Sequence, residues 1–297
     1  MLGLSLTRSV VCVALALTVA GVGAQTATPP DRYFPPLTKD AETVWGHYLL
    51  RTQERIEREL SAPTGFLALD FTPTRDADRQ AVLAGEMPVT ELTTLYPNNT
   101  KINVPGNWVH HWRGVVLIPG AKLNQVFTRL QEAVPGTGQG DVVKSMILGR
   151  DKDGSHIRTY MQVQRSGSVM LVGYHLVYNT EHEVTFTRRT PTRGTSTTVA
   201  TKIAELYHPG SPEEHEFAAG KDNGFLRRWN SYWRYEEIGA GVIAECETVT
   251  LSRDAPSFAS LLGARGIAET AARESLARAL VNLRTFFRTP PASSPVR

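Results

Sequence analysis

The residues best placed to do chemistry lie in two strand-like runs, 225–237 and 242–253, joined by the turn Ile238-Gly239-Ala240-Gly241. Closing that turn between Glu237 and Val242 sets Arg234 opposite Glu245 and Tyr232 opposite Glu247 in an antiparallel hairpin. Strand alternation then puts both carboxylates on one face with Ile243, Val249 and Leu251. A face so apolar is expected to be covered, and is read here as the concave, cavity-lining one. Carboxylates there are costly unless paired, so an Arg234–Glu245 ion pair is expected. On a pocket wall such groups orient an amphipathic ligand. Carboxylates whose pKa is raised by burial act instead as general acids or bases, with Tyr232 beside them. Two plainer readings stay open: a purely structural cross-strand pair, or a one-residue register slip that turns both carboxylates to solvent.

The candidate ligand-binding set is therefore Tyr232, Arg234, Glu245 and Glu247, with Trp112, Tyr160 and Tyr174 as aromatic lining. Singly these aromatics, like Trp108, Trp229, Trp233 and Tyr235, are more often core residues than ligand contacts; collectively they are candidates to line a pocket. Other constellations fail on geometry. His110 and His111 are neighbours in a strand, point to opposite faces and cannot chelate one ion together. His215 lies in a charged loop segment, Glu213-Glu214-His215-Glu216, with no HExxH spacing around it. Asp151-Lys152-Asp153-Gly154 opens like a calcium loop, lacks the later ligands and reads as a hairpin turn. Gly136-Thr137-Gly138-Gln139-Gly140 has no Lys-Ser/Thr after it, and no Gly-x-Ser-x-Gly elbow occurs. No catalytic residue, metal ligand or cofactor is assigned.

The chain that must position these groups has 297 residues. Residues 1–24 carry one charge (Arg8), an apolar stretch and a small-residue end, the pattern of a secretory signal cleaved after Ala24. The protein is accordingly expected to be secreted or periplasmic. No later stretch is apolar for the ~20 residues a membrane span needs. Without Arg8 the 32 basic residues become 31 against 29 acidic, a balance of +2, and no basic cluster with interleaved aromatics argues for nucleic acid. Cys12 falls in the signal, so Cys246 is a lone thiol with no disulfide to make, read as a buried strand residue.

Residues 25–38 read as a flexible leader and 39–60 as an amphipathic helix with Val44, Tyr48, Leu49, Ile56 and Leu60 on one stripe. A short helix follows over 75–84, then a strand over 89–96. Residues 108–118 form a strand that breaks at Pro119-Gly120 into a helix over 121–133. Strands are expected over 142–150, 155–164, 168–178, 183–187 and 196–207, then a polar loop over 209–223 and the hairpin described above. A helix within 258–287 carries Ala272, Leu276, Leu280, Leu283 and Phe287 near one stripe, and the Pro/Ser-rich end from 289 reads as a disordered tail.

This order, with the strand-into-helix segment Trp108 to Gly120 and the last strand running into Leu251-Ser252-Arg253-Asp254-Ala255-Pro256, resembles the START-like helix-grip superfamily of lipid-transfer domains and polyketide cyclases. The resemblance covers roughly residues 89–288; the N-terminal helical segment and the 209–223 loop depart from the minimal pattern. It implies an α+β fold, a curved antiparallel sheet gripping a long C-terminal helix around a cavity, over residues 87–288. The N-terminal helical segment, 39–86, is then an addition. It also implies an exported carrier that encloses a hydrophobic, lipid-like or polyketide-like small molecule, with the 209–223 loop at the entrance. A transient membrane contact would serve such a carrier. Two alternatives stand beside it: a cyclase- or hydrolase-type enzyme using carboxylates in the same cavity, or an envelope module that binds another protein.

Overall fold

The computed structural model describes residues 33–138, 140–169, 172–254 and 264–288. The expected signal, most of the leader and the tail lie outside the described residues. The strands are β1 (Val89–Glu91), β2 (Asn107–Pro119), β3 (Val142–Arg150), β4 (His156–Val169), β5 (Val172–Arg188), β6 (Arg193–Tyr207), β7 (His215–Glu216), β8 (Arg228–Ile238) and β9 (Gly241–Arg253). The helices are α1 (Lys39–Leu60), α2 (Arg75–Leu83), α3 (Leu123–Glu132) and α4 (Ala264–Arg288), and a 3-10 turn spans Ala68–Phe71.

The described strands form one antiparallel sheet in the order β1-β2-β9-β8-β6-β5-β4-β3, with the short β7 beside β6. The long C-terminal helix lies on this curved sheet, and the N-terminal helical segment adds to it, so the layout is that of a helix-grip fold. The hairpin register is the expected one: Arg234 pairs with Glu245 and Tyr232 with Glu247. Its turn requires glycine at Gly241, whose φ of +144° suits no other residue and whose added Cβ would sit 2.2 Å from the Ile118 carbonyl oxygen.

The two faces of the sheet are covered by different elements. On one, Leu276, Leu280 and Leu283 of α4 and Leu123, Val126 and Phe127 of α3 pack on Val116, Ile118, Val242, Ala244 and Cys246. The close approach of α4 depends on Gly114 in β2, where a Cβ would come within 2.6 Å of Leu280. On the other face, Trp45, Tyr48 and Ile56 of α1 pack on Tyr232, Val249 and Leu251. Phe66, Leu67, Leu69 and Val82 cover Val115, Leu117 and Ile243 beside them. α1 begins at Thr38, whose side chain accepts the Ala41 N–H at 3.2 Å, with Asp40 and Glu42 in its first turn and Arg58 in its last. Its buried stripe is Ala41, Trp45, Tyr48, Thr52 and Ile56, so Val44, Leu49 and Leu60 flank the contact rather than centre it.

Three local expectations change. The strand over 89–96 is only Val89–Glu91; beyond the Leu92 N–H bond to the His111 carbonyl the chain turns away through an Asn98 side-chain turn. The strands expected over 168–178 and 183–187 are one strand, β5, because the polar stretch between them finds partners. Asn179 accepts from Tyr160 and donates to Glu216, Thr180 donates to the Met161 carbonyl, and a bulge against β6 absorbs the extra residue. The 209–223 loop contains the two-residue strand β7 and is tied down by Tyr33, whose hydroxyl donates to the Phe217 carbonyl.

Candidate functional site

Hydrophobic burial decides where the hairpin's charged groups go, and it places them beneath α1. The face bearing Glu245 and Glu247 is covered, as its apolar neighbours require, but by the N-terminal segment; the expectation that this face looks toward the terminal helix is corrected. Glu245, 1 % exposed, accepts the Ala68 N–H at 2.5 Å and the Leu69 N–H at 2.9 Å, the free donors that open the 3-10 turn. Arg234 stands 4.0 Å from Glu245, donates to the Phe66 carbonyl at 3.0 Å and to Glu59 at 2.5 Å, and is itself buried. Burial pushes the Glu245 carboxyl above its ordinary value, against the pull of Arg234 and the two backbone bonds.

Glu247 anchors the second half of the network. Its Oε1 accepts from Arg55 of α1 and lies 2.7 Å from His111 Nε2. Tyr48 of α1 takes the Thr94 N–H on its hydroxyl oxygen at 3.1 Å and lies 2.8 Å from His111 Nδ1. With an ionised carboxylate at one end, the hydrogens run one way: Thr94 N–H to Tyr48, Tyr48 O–H to His111 Nδ1, His111 Nε2–H to Glu247. Burial works against ionisation of Glu247, yet the His111 bond and the guanidinium groups of Arg55 and Arg234 hold its carboxyl at about 2. Tyr232 accepts from Gln53 at 3.2 Å, and burial raises its hydroxyl to about 12. Within this array Glu247 Oε2 is buried without a hydrogen-bond partner among the described residues, and Arg55 is partly exposed. The array joins α1 to the sheet.

The face under α4 has a different chemistry. Trp112 and Trp233 are partly buried against the α4 core, Trp233 stacks on Tyr235 at 6.0 Å, and Tyr235 meets Phe127 edge-on at 5.5 Å. The Tyr235 hydroxyl lies 3.3 Å from Ser196 Oγ and burial drives its pKa upward. Cys246 is buried here, and its thiol is pushed well up by burial, which removes it as a nucleophile. Further along, Trp229 lies edge-on to His182 at 4.9 Å, and its indole N–H donates to Ser231 at 3.1 Å.

Of the seven candidates, then, Tyr232, Arg234, Glu245 and Glu247 come together under α1, and Trp112 lies across the sheet from them under α4. Tyr160 sits on β4, where its hydroxyl donates to Asn179, far along the sheet from the hairpin. The Tyr174 side chain lies outside the described residues. A surface cleft of about 280 Å³ between α3, the β3–β4 turn and the end of β5, floored by Phe127 and Phe186, includes none of the seven. His182 was not singled out by its sequence, whereas Trp229 stood among the aromatics read as collective pocket lining. The signal was present in the period-two series Tyr178, Thr180, His182, Val184, Phe186, masked by reading a break at 179–182.

No family model and no curated protein matches the chain. Among solved structures it is similar to a STAR-related lipid transfer protein from Xanthomonas axonopodis, with 17 % identity, 63 % of this chain and 96 % of that one covered, and a TM-score of 0.37. It is also similar to an aromatase/cyclase from Streptomyces sp. R1128 at 13 % identity, covering 63 % and 99 %, TM-score 0.36. The human StAR-related lipid transfer protein 5 matches at 12 % identity over 83 % of this chain and 97 % of its own, TM-score 0.34. Among the described residues no helix is long and apolar enough to cross a membrane.

Proposed function

We propose that this protein is an exported carrier that holds a hydrophobic or amphipathic small molecule between its sheet and α4. The observation that carries the reading is the aromatic wall under α4. Trp112, Trp229 and Trp233 are all only partly buried on the face that the long helix spans, where an ordinary core would close over them. Apolar walls of this kind desolvate a ligand, and a few polar groups fix its orientation. The carboxylate chemistry of a cyclase or hydrolase finds no support in this geometry, because Glu245 and Glu247 are bonded into the α1 network on the opposite face. Export is part of the proposal on the strength of the signal-like residues 1–24. Amino-terminal sequencing of the mature protein should begin at Gln25. Native mass spectrometry of protein purified from its own host should show a bound lipid-like species, or uptake of one from a lipid extract. Protein that remains ligand-free in both would contradict the carrier reading.

A further inference from the structure

We propose that His182 is the polar anchor of the ligand site and accepts a hydrogen bond from a neutral hydroxyl group on an otherwise apolar ligand. This rests on the carrier reading above and narrows it to a class of ligand: long-chain or polycyclic alcohols rather than fatty acids or phospholipids.

The position follows from strand geometry. His182 alternates in step with Val184 and Phe186 on β5, and Phe186 belongs to the core built around Leu276 and Leu280 of α4. Its cross-strand neighbours are Thr159 and Ala200, and its ring meets Trp229 edge-on. It is 1 % exposed.

The hydrogen-bond pattern then fixes which ring nitrogen carries the proton. The Thr180 hydroxyl donates its single hydrogen to the Met161 carbonyl at 3.0 Å. His182 Nε2 lies 3.0 Å from that same hydroxyl oxygen, which can only accept, so Nε2 is the donor. Nδ1 is therefore a bare lone pair, and it has no partner among the described residues. Burial holds the ring neutral, with a pKa of about 3. Buried acceptors are seldom left unmatched, and those that are call for an explanation.

The chemistry selects the donor. A carboxylate or phosphate at neutral pH offers only acceptor oxygens to a lone pair that needs a hydrogen. An ammonium group would bring an unpaired charge to a ring that has no ion-pair partner among the described residues. An alcohol supplies one hydrogen and no charge. Trp229, partly exposed and tethered to the β8 side chain of Ser231, is the aromatic ring against which a ligand bound at His182 would pack.

The test compares n-tetradecanol, its methyl ether and tetradecanoate on the purified protein, by displacement of a fluorescent apolar reporter. The alcohol should bind about 3- to 10-fold more tightly than the ether, the range of one neutral hydrogen bond, and more tightly than the carboxylate. In His182→Phe the alcohol should fall to the level of the ether while the ether is unchanged. A second readout needs no variant: the 15N resonance of the unprotonated His182 nitrogen should move on adding alcohol and stay still on adding ether. Equal affinity of the wild type for alcohol and ether, or an unmoved resonance with bound alcohol, overturns the role of His182 and leaves the carrier reading standing. Failure of all three molecules to bind overturns both.

Discussion

Arg234→Met strikes the centre of the network beneath α1, and its cost can be worked from the contacts. The guanidinium is 4 % exposed, lies 4.0 Å from the 1 % exposed Glu245, and donates to the Phe66 carbonyl and to Glu59. Its loss leaves Glu245 with two backbone donors and only the Arg113 guanidinium as an opposing charge. Breaking a buried pair in this way costs about 3–5 kcal/mol, against about 0–1 kcal/mol for a surface pair. At about 2–4 °C per kcal/mol for a domain of this size, the melting temperature should fall by roughly 6–20 °C. The pH dependence carries a sign. Burial already holds the Glu245 carboxyl above its ordinary 4.5, with Arg234 the foremost influence pulling it down. Removing Arg234 raises it further. A carboxyl whose folded pKa exceeds its unfolded one favours the fold below the unfolded value, and that contribution disappears as pH rises through the folded value. The deficit of the variant should thus be smallest below pH 4.5 and grow toward neutrality. Urea denaturation of Arg234→Met, Glu245→Gln and the double variant measures this, with the double costing less than the sum by at least about 1 kcal/mol. Single costs below about 1 kcal/mol that simply add would refute the buried pair.

Glu247 should behave in the opposite sense. Its carboxyl is held at about 2 against an ordinary 4.5, so its contribution is present above 4.5 and lost as pH falls toward 2. That loss amounts to about 3 kcal/mol, and Glu247→Gln, titrated by unfolding across the same window, should lack it; parallel curves for variant and wild type would exclude the account. Gly114→Ala should cost about 1–3 kcal/mol, because its Cβ would sit 2.6 Å from Leu280, and its double variant with Leu280→Ala should cost less than the sum of the two single changes. An unchanged melting temperature for Gly114→Ala would mean that α4 does not approach β2 as described. Leu280→Asp should abolish cooperative folding, since it puts an unpaired carboxylate at a fully buried position; a soluble variant with a normal melting temperature would place Leu280 on the wrong side of α4.

The hairpin register was legible because turn composition and strand alternation fix it locally, which is why Arg234 meets Glu245 as expected. Which element covers which face was not. Both faces of β9 are apolar enough to be buried, and two amphipathic helices compete for them. The discriminating residues are small ones: Gly114, Ala244 and Cys246 form a shallow strip that lets a helix come close, whereas the Tyr232 and Val249 side meets the rings of α1. Polar partners were likewise invisible to strand propensity. Asn179 and Thr180 look like a break until their bonds to Tyr160, Glu216 and the Met161 carbonyl are known. That misreading hid His182.

The central claim, a ligand held between the sheet and α4, is tested most directly by photo-crosslinking. A long-chain alcohol bearing a diazirine, irradiated with the purified protein and mapped by peptide mass spectrometry, should label peptides that contain Trp112, Trp229 or Trp233 or that belong to α4. Labelling confined to α1 and, by fragment-ion assignment within 229–234, to Tyr232 rather than Trp229 or Trp233, or no labelling above that of heat-denatured protein, would contradict it.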